Sequence, residues 1–315
     1  MAEALTPFET RVTFPSDGLQ LSGIVRIPEG AAAGKRLPAF IVLHGFGSNK
    51  NAGNVLAPCK MLEALGYATL RFDMRGCGES QGERGRVICL DQVSDTRNAL
   101  TFLATHPQID PNRIALIGSS FGAAVSIYTA GVDKRVAAVI SSGGWGHGER
   151  KFRGQHPTAE AWARFTAMLE EGRKHRERTG QSLMVPRYDI VPIPEHLRKN
   201  VAANSIQEFP AETAQSMFDF RAEDVVGNIS PRPLLLLHSA DDSVTPTEQS
   251  IELFRHAGQP SDLHLFAETD HFMFAEENER VRKVIFDWLA KYFPAEASGQ
   301  NTAENLQAQT TGHHD

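Results

Sequence analysis

A serine hydroxyl attacks a carbonyl only when a base takes its proton and the backbone presents it outward. The pattern G-x-S-x-G does the second of these. On a sharp strand-to-helix turn, glycines flank the serine because larger side chains would clash. The chain contains the pattern twice, as Gly118-Ser119-Ser120-Phe121-Gly122 and as Gly78-Glu79-Ser80-Gln81-Gly82. Context separates the two. Ser120 follows the apolar run Ile114-Ala115-Leu116-Ile117 and precedes Ala123-Ala124-Val125, as a buried strand and a closely packed helix require. Ser80 is followed by Glu83-Arg84-Gly85-Arg86, which cannot be an apolar helix. Ser120 is therefore the candidate nucleophile, and Ser80 is assigned to a turn.

The base and the acid that orients it should follow in the order Ser, Asp or Glu, His. His271, in Thr269-Asp270-His271-Phe272, comes directly after the last expected strand. Other histidines fit less well: His44 and His238 end apolar strands, and His147, His156, His175 and His196 lie in an atypical middle segment. The run Leu234-Leu235-Leu236-Leu237 leads into His238-Ser239-Ala240-Asp241-Asp242, which leaves two carboxylates, Asp241 and Asp242, at the acid position. Asp270, next to His271, cannot readily turn back to the ring. Acyl transfer also needs N–H groups for the developing oxyanion. Phe121, after the nucleophile, is one candidate. Phe46, in the glycine-flanked loop His44-Gly45-Phe46-Gly47, is the other.

The elements that must position these groups are readable from periodicity. Strands are expected at 11–15, 19–28, 40–43, 68–72, 113–117, 136–140, 233–237 and 263–266. Helices are expected at 54–65, 90–105, 122–130 and 281–292. Near-continuous apolar strands alternating with helices mean a mostly parallel sheet covered on both faces. The first two strands, joined at Ser16-Asp17-Gly18, should form an antiparallel edge. Residues 143–226 show no clear strand and are too long for a plain connection, so they should carry their own, mainly helical, structure. Residues 10–142 and 227–293 then form the core, 143–226 an inserted cap, and 295–315 a polar, disordered tail. Trp145, Trp162 and Phe165 in the cap are candidates for lining an apolar acyl or aryl pocket. Arg150, Lys151 and Arg153 read as a solvated face.

Composition narrows the function. The 315 residues carry a formal charge of −6, with no basic footprint for nucleic acid and no apolar run that would span a bilayer. No signal-peptide pattern is seen at the start, so a cytoplasmic location is expected. The three cysteines, Cys59, Cys77 and Cys89, lack metal-ligand spacing and read as reduced thiols. Neither metal nor organic cofactor is required. The expected partner is a small-molecule substrate, and a homodimer is left open.

Across residues 10–293 these features together resemble the α/β-hydrolase superfamily: the His44–Gly47 loop, the Gly118–Gly122 elbow, the acid strand and His271. In that superfamily the acid strand typically ends H-G-x-x-D and runs on to a proline. Counting from His238 to Pro246, the resemblance places the acid at Asp242. Asp73-Met74-Arg75-Gly76-Cys77-Gly78-Glu79-Ser80 resembles its D-x-R-G-x-G-x-S turn, which implies a structural role for Asp73 and Arg75. The combination is most similar to cinnamoyl/feruloyl-esterase-like carboxylesterases, with a cap inserted after the sixth strand. The fold implied is an α/β-hydrolase fold: about eight twisted, mostly parallel strands with helices on both faces. Ser239 for the usual glycine and Gly122-Ala123 for Gly-Gly are departures that remove no catalytic atom. The resemblance implies ester hydrolysis by Ser120, Asp242 and His271, with activity falling as His271 protonates near pH ~6.5 or below. The same residues would serve an amidase, thioesterase, acyltransferase, peptidase or carbon–carbon bond hydrolase. A non-catalytic ligand-binding protein is a remote alternative.

Overall fold

The structure is a computed structural model that describes residues 8–31, 34–274 and 278–296. The expected tail beyond residue 296 lies outside the described residues. A single eight-stranded sheet carries the molecule, in the order β1-β2-β4-β3-β5-β6-β9-β10. These strands are β1 (Glu9–Ser16), β2 (Leu19–Arg26), β3 (Leu37–Leu43), β4 (Ala68–Phe72), β5 (Ile109–Ser119), β6 (Val136–Ser142), β9 (Leu234–Ser239) and β10 (Ser261–Phe266). From β4 to β10 every pairing is parallel. β2 runs antiparallel to both β1 and β4, which gives the expected antiparallel edge. Its turn uses Asp17 at φ 46° and Gly18 at φ 84°, the left-handed pair that a tight hairpin needs.

The apolar strands follow from burial on both faces. Successive side chains point to opposite sides of a strand. Ala39, Ile41 and Leu43 of β3 therefore join one core, and Phe40 and Val42 join the other. The first core is covered by α2 (Cys89–Ala104) and α3 (Phe121–Val132), the second by α1 (Gly53–Ala64) and α9 (Glu279–Tyr292). α1 stops at Gly66, whose positive φ lets its N–H and that of Tyr67 reach back to the Glu63 and Leu62 carbonyls.

Between β6 and β9 lie α4 (Gly148–Gln155), α5 (Ala159–Thr179), β7 (Met184–Pro186), α6 (Arg187–Ile190), β8 (Glu208–Pro210) and α7 (Ala211–Asp219). The segment is mainly helical, as expected. The sequence shows no clear strand here, yet β7 and β8 pair antiparallel. Strands of three residues are too short to show a period of two. A helix also absent from that reading, α8 (Glu248–His256), follows β9. Among the described residues no helix is long and apolar enough to cross a membrane.

Candidate active site

Ser120 sits where β5 ends and α3 begins, at φ 56° and ψ −116°. A non-glycine residue there costs on the order of 1–3 kcal/mol and persists only when its surroundings enforce it. Here the Ser120 N–H donates to the Ser142 carbonyl at 2.8 Å, tying the turn to β6. The flanking glycines are enforced by contact. A Cβ on Gly118 would lie 2.3 Å from the Gly122 carbonyl carbon, and one on Gly122 would lie 2.5 Å from the Leu43 oxygen.

The chain brings His271 and Asp242 together across 29 residues: Nδ1–H donates to Oδ2 at 2.8 Å. This leaves Nε2 as the acceptor nitrogen. The Asp242 carboxylate is fully engaged. Its Oδ1 accepts from the Val244 and Thr245 N–H groups at 2.8 and 2.7 Å, while Oδ2 also lies 3.3 Å from His238 Nε2. Burial opposes ionisation, but His271 and His238 outweigh it and hold the carboxyl well below the usual range. Asp241 is exposed and its side chain does not reach the ring. Asp270 accepts from the His271 and Ser243 N–H groups and from the Ser243 hydroxyl, which staples the histidine loop to the acid loop. Gly143, at φ 62°, packs against the imidazole: a Cβ there would lie 3.2 Å from His271 Cε1.

Ser120 and His271 line one cavity of about 40 Å³, shared with Gly45, Phe46, Asn54 and Arg187. The Ser120 hydroxyl makes no hydrogen bond to a described residue. The Phe46 and Phe121 N–H groups likewise have no partner among the described residues. At Phe121 this follows from its place as the first residue of α3.

The Phe46 loop is held from two sides. From the core, His44 Nδ1–H donates to the Gly45 carbonyl at 2.8 Å, and His44 Nε2 accepts from the Met74 N–H at 3.1 Å. Burial pushes the His44 pKa down, so the ring stays neutral. From the inserted segment, the Ile206 N–H donates to the Gly47 carbonyl at 2.9 Å, and Phe209 stacks on Phe46 with centroids 4.1 Å apart. Arg187 adds hydrogen bonds to the Phe46 and Gly47 carbonyls. The sequence reading did not find His44, His238, Gly143 or Arg187 in these supporting roles. Only His44 and His238, as polar residues closing apolar strands, carried a signal.

The turn at Asp73 is structural in the way its pattern implies. Asp73 accepts from the Lys50 ammonium at 2.5 Å and from the Glu79 N–H at 2.8 Å. Arg75 pairs with Asp95 at 2.6 Å. A Cβ on Gly78 would lie 2.2 Å from the Asp73 carboxyl carbon, so glycine is required there.

Trp145, Trp162 and Phe165 are not among the residues lining the Ser120 cavity. Trp145 is buried edge-on against Phe121 and beside Phe220. Phe165 stacks between Phe152 and His156, and Trp162 lies under Arg153. Lys151 departs from the expected solvated face: it is 4% exposed, its ammonium 3.9 Å from the Phe152 ring centroid with no hydrogen-bond partner. The three cysteines are buried and free, and burial pushes their pKa values up, to about 12 for Cys77 and Cys89 and about 11 for Cys59. They are not reactive thiols.

Known proteins share this arrangement of strands. The chain is 30% identical to the thiohydrolase aneE of Aspergillus aculeatus, over 81% of this chain and 83% of that one. The α/β hydrolase GrgF of Penicillium sp. sh18 superposes with a TM-score of 0.75 at 24% identity, covering 90% of this chain and 98% of that one. Est1E of Butyrivibrio proteoclasticus, solved with ferulic acid bound, gives a TM-score of 0.62 at 18% identity, covering 89% and 100%. The family model described as Hydrolase_4, serine aminopeptidase S33, matches residues 35–278. That span runs from β3 through the elbow and the acid strand to the His271 loop, and with it the chain belongs to this family of α/β hydrolases.

Proposed function

We propose that the chain is a serine hydrolase that cleaves carboxylic esters of small or medium acyl or aryl groups through an acyl-enzyme. The observation that carries the reading is the Asp242–His271 hydrogen bond beside a cavity that His271 shares with Ser120. The unpartnered N–H groups of Phe46 and Phe121 support it.

In this reading Ser120 Oγ attacks the ester carbonyl carbon as His271 Nε2 takes its proton. Asp242 holds the imidazole with Nε2 free and balances the charge that the ring acquires. The Phe46 and Phe121 N–H groups receive the oxyanion, each donor contributing on the order of 3 kcal/mol to lowering the barrier. The tetrahedral intermediate collapses, breaking the bond to the leaving alcohol, which takes the proton from His271. Water, deprotonated by His271, then attacks the acyl carbon. The acid leaves and Ser120 regains its proton. Residues 143–226 act as a cap, since Arg187, Val191, Ile193, Val201 and Ser205 close the cavity over Ser120.

Fluorophosphonate labelling tests the nucleophile. Folded wild-type protein should be modified at Ser120, and Ser120→Ala should be neither labelled nor active on p-nitrophenyl butyrate. Absence of labelling in folded wild type would end the reading. A second reading is thioester cleavage. It is favoured by the relative described as a thiohydrolase, and a higher kcat/KM for thioesters than for matched oxoesters would select it.

A further inference from the structure

Arg187 is 3% exposed, and it is committed on one side only. Nε–H donates to the Ile206 carbonyl at 2.7 Å, and Nη2 donates to the Phe46 and Gly47 carbonyls at 2.9 and 3.2 Å. Nη1 makes no hydrogen bond to a described residue. None of the described carboxylates pairs with Arg187. The contrast with Arg71, which is equally buried, is direct: Arg71 pairs with Glu9 at 2.6 Å. A buried cation held by neutral carbonyls and by the faces of Phe46 and Phe209, 5.2 and 5.4 Å away, has no counter-charge. Burial lowers its pKa to about 10, which leaves the guanidinium protonated at neutral pH.

Arg187 lines the cavity of Ser120 and His271. The surrounding polar groups are also uncommitted. Ser205 Oγ is buried without a partner, and the Asn54 amide makes no hydrogen bond to a described residue. An apolar acyl chain would leave all of these groups unsatisfied. A carboxylate is small and planar. It would accept from the free Nη1–H groups, the Ser205 hydroxyl and the Asn54 amide.

We propose that Arg187 is the specificity residue of this site and that it selects acyl groups bearing a carboxylate at the end distant from the scissile carbonyl. The substrates would be half-esters of short dicarboxylic acids. This deepens the ester-hydrolase reading and rests on it. The side of Arg187 facing Phe46 steadies the oxyanion loop, and the uncommitted Nη1 meets the substrate.

The test compares mono-p-nitrophenyl glutarate and adipate with neutral p-nitrophenyl esters of equal acyl length. Wild type should prefer the charged esters in kcat/KM by about 10- to 100-fold. Arg187→Gln should bring that ratio close to one, through a higher KM for the charged esters. It should also slow both classes by loosening the Phe46 loop. Equal preference in wild type, or a variant that slows both classes without changing their ratio, would reduce Arg187 to a clamp and overturn the proposal. A measurement on wild type alone guards against a variant that does not fold: glutarate, but not glutaramide, should raise the melting temperature and inhibit neutral-ester hydrolysis competitively. No effect of glutarate would overturn it. Failure of the ester reading would show separately, as no turnover of any ester and no fluorophosphonate labelling.

Discussion

Two aspartates stand beside His271, and only one of them touches its ring. Asp242 meets Nδ1, whereas Asp270 meets the backbone N–H. Their removal should therefore differ in kind. Asp242→Asn should lower kcat by about 10⁴-fold with the fold intact, because the amide no longer fixes the acceptor tautomer. Asp270→Asn should cost about 10-fold or less, by loosening a loop through one of three hydrogen bonds. Steady-state kinetics with one p-nitrophenyl ester decides between them. Equal losses would mean that Asp242 has no special role.

Glycines and one lysine set the limits at the scale of elements. Gly47, at φ 53°, lets Phe209 and Arg187 reach the Phe46 loop. A Cβ there would lie 2.4 Å from Phe209 Cζ and 3.0 Å from Arg187 Nη2. Gly47→Ala should lower kcat at least 10-fold, with KM changing less, because it moves the proposed oxyanion donor while Ser120, Asp242 and His271 stay in place. Lys151 in α4 concerns stability. Burial against Trp145 and Phe152 lowers its pKa from 10.5 to about 7. Between those values the unfolded chain holds a proton that the folded chain lacks, so stability rises with pH across that window. It is lowest below pH 7, where the folded protein must carry the buried charge. Lys151→Met should stabilise the protein at pH 7 by a few kcal/mol and flatten this rise. Thermal melts at pH 7 and pH 9 measure both effects. A variant less stable than wild type at pH 7 would contradict the burial cost.

The whole molecule joins a sheet scaffold to an inserted segment, residues 143–226, part of which lines the cavity at Ser120. The cavity at Ser120 has a volume of about 40 Å³. Ile193 and Val191, from the segment after α6, form part of its wall. Ile193→Ala should move the acyl-length optimum toward longer p-nitrophenyl esters, raising kcat/KM for octanoate relative to acetate. An unchanged profile would place the acyl group elsewhere.

The strands of the sheet, the turn at Ser120 and the place of His271 after the last strand were legible without coordinates. Each rests on local rules: apolar runs for buried strands, glycines for a turn whose Cβ positions are occupied, and loops after the strand ends. The polar partners were not legible. His44 and His238 closed strands in the sequence. Tertiary structure turned them toward the Phe46 loop and the Asp242 carboxylate. Trp145, Trp162 and Phe165 pack against other aromatic and cationic side chains, whereas Arg187 lines the cavity at Ser120. Apolar surface can be buried against any apolar neighbour, so composition does not say which neighbour it will be. A hydrogen bond or an uncancelled charge exists only between particular atoms, and only the folded chain brings those together.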